Sequence, residues 1–152
     1  MDANEIRTAL ATHQLTKQIF KDVLAANQLP TKPNQRGIYV VNTHPKHMPG
    51  EHWITLEYTP TTIYYFDSYG LPTHPRVKQE LHNTKALEGK TLLYHGTRLQ
   101  GIRQTCGLYC IYQILTRSTN NHTLDIFNTD LETNDRIVYH IVHQMFRTNK
   151  NL

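Results

Sequence analysis

The segment GIYVVNTHPKHMPGEHWITLEYTPTTIYYFDSYG, Gly37 to Gly70, decides the fold class, because within it the apolar residues abandon helical spacing. GIYVVNT, HWITLEY and TIYYFDSYG are short β-branched and aromatic runs bounded by Pro, Gly and Thr. Such runs predict strands, and TPTT, Thr59 to Thr62, predicts that the last two form a hairpin.

Outward from this segment the period changes. LPTKPNQRG, Leu29 to Gly37, is the main break, and everything before it reads as helical: Ile19, Phe20, Val23 and Leu24 recur four apart in LTKQIFKDVLAANQ, an apolar stripe with the lysines turned outward. Beyond the segment, HPRVKQELHN (His74 to Asn83) predicts a short helix and KTLLYHGT (Lys90 to Thr97) a further strand. Cys106 to Leu115 reads as a helix, and the tail DLETNDRIVYHIVHQMF is another, striped by Ile137, Val138, Ile141, Val142, Met145 and Phe146. Helical, then strands, then helical: this order predicts an α+β arrangement, a sheet packed against helices, and not a βαβ repeat.

A length of 152 residues fits one domain, 1–152, and 38% apolar residues with nine Tyr, four Phe and one Trp supply one core. No run approaches the roughly 20 apolar residues of a bilayer span, and MDANEIRTAL has neither a basic nor an apolar leader region, so a protein outside the membrane and not secreted by that route is expected. Cys106 and Cys110 lie four apart on one helix face, a poor disulfide framework that favours a reducing, intracellular compartment. The charge of +4 comes from sixteen basic residues scattered singly from Arg7 to Lys150, which permits nucleic-acid contact without showing it.

In LQGIRQTCGLYCIYQIL, Leu99 to Leu115, Cys106 opens a helix and so admits three readings: small core residue, metal ligand or nucleophile. A thiol attacks only as thiolate, and a helix N-terminus lowers its pKa through unpaired amides and the positive end of the dipole. Gly107 leaves the approach open. The nucleophile also needs a base and an orienting partner. His52 starts one strand of the hairpin and Asp67 ends the next, so the hairpin brings their ends side by side. Counted from a turn near Thr61, His52 stands nine residues before and Asp67 six after, which predicts a bulge or offset between them. Singly, each has a plainer reading: a surface histidine, turn chemistry in DSYG, a buried thiol. Gln100, six residues before Cys106, is a candidate oxyanion donor beside the Cys106 amide, and Gln104 is its rival. A zinc site of Cys106, Cys110, His140 and His143 meets the usual ligand spacings only loosely, so no metal is expected.

Together, VVNTHPKHMPGEHWITLEY, IYYFDSYGLP and LQGIRQTCGLYC resemble the catalytic blocks of the adenain family, the adenovirus-type maturation cysteine proteases, with kin in Polinton or Maverick-type elements and more distant relatives among ubiquitin-like-modifier proteases. The resemblance spans roughly Gly37 to Leu115. It implies a central mixed β-sheet packed against helices, with the nucleophile at the N-terminus of a buried helix. It further implies His52 as general base, Asp67 as its orienter, Cys106 as nucleophile, Gln100 as oxyanion donor, and Trp53 with Gly107 lining a narrow cleft that prefers glycine-containing sites. Asn42 is placed at the sheet edge without an assigned role. No cofactor is implied. Protein or peptide substrates are, with modifier processing or acetyl transfer on the same core as alternatives; a silent binding module would need a broken triad. Two departures stand out: Asp67 where adenovirus-type members usually have Glu, and no cysteine outside the active-site helix to link an activating peptide. DNA stimulation, a monomer, and a location inside the host cell or the virion complete the expectations.

Overall fold

The computed structural model describes residues 1–31, 35–119 and 123–150, with side chains through Phe146. Residues 32–34, within the expected break, lie outside the described residues. Four helices, α1 (Ala3–Thr12), α2 (Pro75–Asn83), α3 (Cys106–Ser118) and α4 (Leu131–Lys150), surround five strands, β1 (Phe20–Ala25), β2 (Gly37–Asn42), β3 (Trp53–Tyr58), β4 (Thr62–Phe66) and β5 (Thr91–Tyr94). The sheet runs β1-β2-β3-β4-β5. Its outer pairs are parallel and its inner pairs antiparallel, so it is mixed.

Alternation along the strands divides two cores. Ile38, Val40 and Phe66 point to the face covered by α1, α3 and α4, where they meet Leu10, Ile111, Leu115 and Val138. Val41, Ile54, Leu56, Tyr58, Ile63 and Tyr65 point to the other face and meet Val77 and Leu81 of α2. With both faces covered, β3 is buried along almost its whole length, which makes its ends rigid platforms. The β3–β4 turn closes as expected through Thr59, whose N–H donates to the Thr62 carbonyl at 2.9 Å.

One expectation fails. The only α-helix of the first segment is Ala3–Thr12, with a short 3-10 turn at Ala26–Gln28, and it is opened by a capping box in which the Asp2 carboxylate accepts the Glu5 N–H at 2.9 Å. The stripe over Ile19 to Leu24 is β1 instead. Its register on β2 slips between Phe20 and Asp22, so Lys21 is an extra residue, and the bulge turns Phe20 and Val23 to the same face at a spacing of three. A bulged strand therefore imitates the helical period. Helix propensities differ by only tenths of a kcal/mol among these residues, whereas burying Phe or Val contributes roughly 1.5–3 kcal/mol each, so the sheet wins.

Candidate active site

His52 immediately precedes β3, Asp67 immediately follows β4 and Cys106 is the first residue of α3, so three element ends meet at one end of the interior strands. His52 Nε2 lies 2.7 Å from Asp67 Oδ1. The same imidazole forms a side-chain hydrogen bond with Cys106. No bulge is needed between the hairpin strands. The ladder pairs Thr55 with Phe66, so one step further Asp67 stands opposite Ile54, and His52 reaches it along the diagonal. Asp67 Oδ1 also accepts the Tyr69 N–H at 2.8 Å, which fixes the carboxylate from behind. Gly70 tightens this turn at a φ of +70°, its N–H donating to the Asp67 carbonyl at 2.8 Å.

Burial alone would strip the proton from His52, but hydrogen bonds to Asp67 and Cys106 prevail and lift its pKa to about 9. Burial would likewise raise the Cys106 thiol. The His52 hydrogen bond, followed by backbone contacts to Trp53 and Gly107, outweighs it and brings the thiol below its ordinary value. The two shifts favour a thiolate–imidazolium pair. Cys110, one turn further and buried, is pushed well above the ordinary thiol value by desolvation.

Gln100 is 1% exposed and lies against the cleft, whereas Gln104 is exposed at the cleft rim. Gln100 Oε1 accepts the Ser68 hydroxyl at 2.5 Å, and its Nε2 donates to the Arg103 carbonyl at 2.7 Å and to the Tyr69 hydroxyl at 3.3 Å. Both amide hydrogens thus have partners, the second a long one. Trp53 is half-buried against Gly107: a Cβ built on Gly107 would stand 3.6 Å from Trp53 Cδ1, ordinary contact. The Trp53 indole N–H donates to the Met1 carbonyl at 3.2 Å. Asn42 ends β2, an interior strand and not a sheet edge. Its Oδ1 accepts the His44 and Glu51 amides at 2.9 and 3.0 Å, closing the loop that delivers His52. These residues border a cleft of about 950 Å³ that runs from Cys106 past Trp53 and Gly107 to Glu51 and Leu24.

Ser68, Tyr69, Asn134 and Asp135 were not among the expected site residues. Tyr69 stacks on the His52 ring at a centroid distance of 4.9 Å, and Ser68 orients Gln100; both hide in DSYG, a motif that also reads as a plain turn. Asn134 carried a signal, since it stands four residues before Val138 on an otherwise apolar stripe. Among the described residues no group of three or more His, Cys, Asp or Glu is placed to hold a metal ion, the Cys106, Cys110, His140 and His143 set included. No helix among them is long and apolar enough to cross a membrane.

Solved structures share this architecture. An ASFV protease matches at 18% identity over 86% of this chain and 60% of its own, with a TM-score of 0.58. The SUMO protease Ulp1, solved with its catalytic cysteine oxidized to a sulfinic acid, matches at 15% identity over 98% of this chain and 78% of its own, TM-score 0.56. AvrA, solved with IP6 and CoA, matches at 13% identity over 72% and 46%, TM-score 0.53. The chain therefore has the SUMO-protease or adenain-like cysteine protease fold, as the sequence resemblance implied, and it spans about 60% of the length of the ASFV protease. No family model matches the sequence, and no curated protein does.

Proposed function

We propose that this chain is a cysteine endopeptidase in which Cys106 is the nucleophile, His52 the general base and acid, Asp67 the orienter and Gln100 an oxyanion donor. The observation that carries the reading is the single imidazole held between Asp67 at 2.7 Å and the Cys106 thiol, at a helix N-terminus that opens onto a cleft. The Cys106 thiolate attacks a peptide carbonyl carbon, and the Cys106 amide and Gln100 Nε2 receive the oxygen's charge, the latter exchanging its long contact to Tyr69. The carbon–nitrogen bond then breaks as His52 hands its proton to the departing amine. Water, deprotonated by His52, hydrolyses the thioester and returns the thiol.

Trp53 over Gly107 narrows the cleft beside the sulfur, which supports cleavage at glycine-containing sites of protein precursors, of viral or mobile-element origin by the sequence resemblance. A monomer working inside the host cell or the virion, with DNA as a stimulator and without a disulfide-linked peptide, belongs to the same reading. A second reading, acetyl transfer, is favoured by the likeness to AvrA, solved with CoA, because a thioester donor would load the same thiol.

Peptides spanning glycine-containing sequences, incubated with the protein with and without DNA and with and without acetyl-CoA, separate these readings by mass spectrometry. Cleavage abolished by Cys106→Ala is expected. A mass gain of one acetyl group in place of cleavage would overturn the protease reading in favour of transfer, and neither product would overturn both.

A further inference from the structure

Asp135, in the first turns of α4, is 1% exposed, and its partners are uncharged donors. The Gly101 N–H reaches both carboxylate oxygens at 3.2 Å, the Thr105 hydroxyl donates at 3.1 Å and the Tyr109 hydroxyl at 2.9 Å. All three donors lie on the segment that leads from Gln100 into the first turn of α3. The fit is close: a Cβ on Gly101 would stand 2.9 Å from Asp135 Oδ2. Next to it, Asn134 Nδ2 donates to the Leu99 carbonyl at 3.0 Å and to the Asn128 carbonyl at 2.7 Å. Together the two side chains tie α4 to both ends of this segment.

Thr105 is the N-cap of α3. A threonine there ordinarily turns its hydroxyl onto the amide of the second or third helical residue, here Gly107 or Leu108. In this chain it makes no such bond, and its hydroxyl goes to Asp135 at 3.1 Å, with the Arg103 carbonyl a longer contact at 3.5 Å. The Gly107 N–H instead contacts the Cys106 sulfur. Hydroxyl and sulfur are therefore rivals for the amides at the helix start.

We propose that Asp135 is a positioning residue that draws the Thr105 hydroxyl off the N-terminus of α3, leaving the Gly107 amide to the Cys106 sulfur. Without the carboxylate, the hydroxyl swings back and caps the helix as N-cap threonines normally do. The helix is then no less well capped, but its amides are spent. The other titratable groups facing Cys106 are His52, with Asp67 behind it, and Cys110 one turn on; none of them touches Thr105. The inference rests on Cys106 being the nucleophile, yet it can be read without peptide turnover.

The test compares the wild-type protein, Asp135→Ala and the double variant Asp135→Ala/Thr105→Val in three measurements: the iodoacetamide rate of Cys106 across pH, kcat and KM on a glycine-containing peptide, and the Gly107 amide resonance by NMR. Asp135→Ala should slow neutral-pH alkylation and kcat by roughly two- to thirtyfold, the weight of one N-cap hydrogen bond, and change KM less than about twofold. It should also shift the Gly107 resonance and move the alkylation midpoint upward. Removing the hydroxyl as well should restore at least half of the loss on a logarithmic scale, because nothing is left to cap the amides. A merely structural aspartate predicts the opposite, a double variant worse than the single one. Alkylation of Asp135→Ala at the wild-type rate, or a double variant no faster than the single, overturns the proposal. Should Asp135→Ala fail to fold, Asp135→Leu, which fills the same space without any acceptor for the Thr105 hydroxyl, is read with and without Thr105→Val by the same criteria. If alkylation follows this pattern while the wild type cuts no peptide, the protease reading falls and the role of Asp135 stands.

Discussion

The Ser68 hydroxyl donates to Gln100 Oε1 at 2.5 Å across 32 positions of sequence, so the turn after β4 fixes which way round the Gln100 amide sits. With its oxygen taken, the NH₂ group is the end left beside Tyr69 at the cleft. Gln100→Ala should lower kcat on a peptide by about a hundredfold to a thousandfold, the usual loss for one oxyanion donor, while Cys106 alkylates at nearly the wild-type rate. Gln104→Ala, at an exposed position, should change both by less than about twofold. Steady-state kinetics beside alkylation rates decide it, and the reverse pattern would transfer the role to Gln104.

The two cysteines should titrate apart. Cys106 is held below the ordinary thiol value, and His52 keeps its proton up to about 9. Alkylation of Cys106 should therefore set in at lower pH than that of an ordinary thiol, level off above that lowered value, and change again near pH 9 as His52 loses its proton. Cys110, pushed well above the ordinary value by burial, should stay unlabelled over the same range in the folded protein. Peptide mapping after timed iodoacetamide pulses measures both, and equal labelling of the two would contradict the ion pair.

Asp67→Asn isolates charge from hydrogen bonding, because an amide oxygen remains for the donors that Asp67 Oδ1 serves, His52 and the Tyr69 N–H. With the carboxylate charge gone, the His52 pKa should fall below its present value of about 9 and the Cys106 pKa should rise. The plateau of the alkylation profile then narrows from both sides. Turnover should drop by about 10²–10⁴-fold, the range of general acid–base contributions, with little change in melting temperature. A wild-type profile in this variant would remove Asp67 from the mechanism.

Much of this was legible in order and spacing. Strands bounded by Pro, Gly and Thr announced the hairpin, and the hairpin put His52 and Asp67 side by side before any coordinates. Three parts were hidden for distinct physical reasons. β1 was misread because the bulge at Lys21 restores a helix-like spacing to Phe20 and Val23. Ser68 and Tyr69 were hidden because DSYG is sufficient as a turn, and only the strand ends above it show that its side chains face Gln100 and His52. Asp135 acts across 30 positions on Thr105, a pairing that no local pattern encodes. The polar Asn134 on the apolar stripe of α4 was the one visible hint of that contact.

Gly70 offers a test of how far the site depends on its turn. It adopts φ +70°, and a Cβ there would stand 2.5 Å from the Thr97 carbonyl carbon and 2.6 Å from the Arg98 nitrogen, both backbone atoms that no rotamer change can move. The left-handed conformation alone costs an L-residue roughly 1–2 kcal/mol, and displacing the Thr97–Arg98 backbone adds to it. Gly70→Ala should therefore destabilise the protein by at least about 2 kcal/mol, a fall of roughly 4–8 °C in melting temperature for a chain of this size. The strain lands on the catalytic geometry as well, because the Ser68 carbonyl in the same turn accepts the Leu99 and Gln100 amides at 2.8 and 3.0 Å. Gly89, whose φ of +73° is similar but whose Cβ would meet nothing within 4 Å, is the matched control. Gly89→Ala should carry the conformational cost alone and leave kcat untouched, whereas Gly70→Ala should lose turnover even at temperatures where it is fully folded. Thermal melts paired with kinetics on both variants measure the difference, and equal behaviour would mean that the turn holds the hairpin without holding the site.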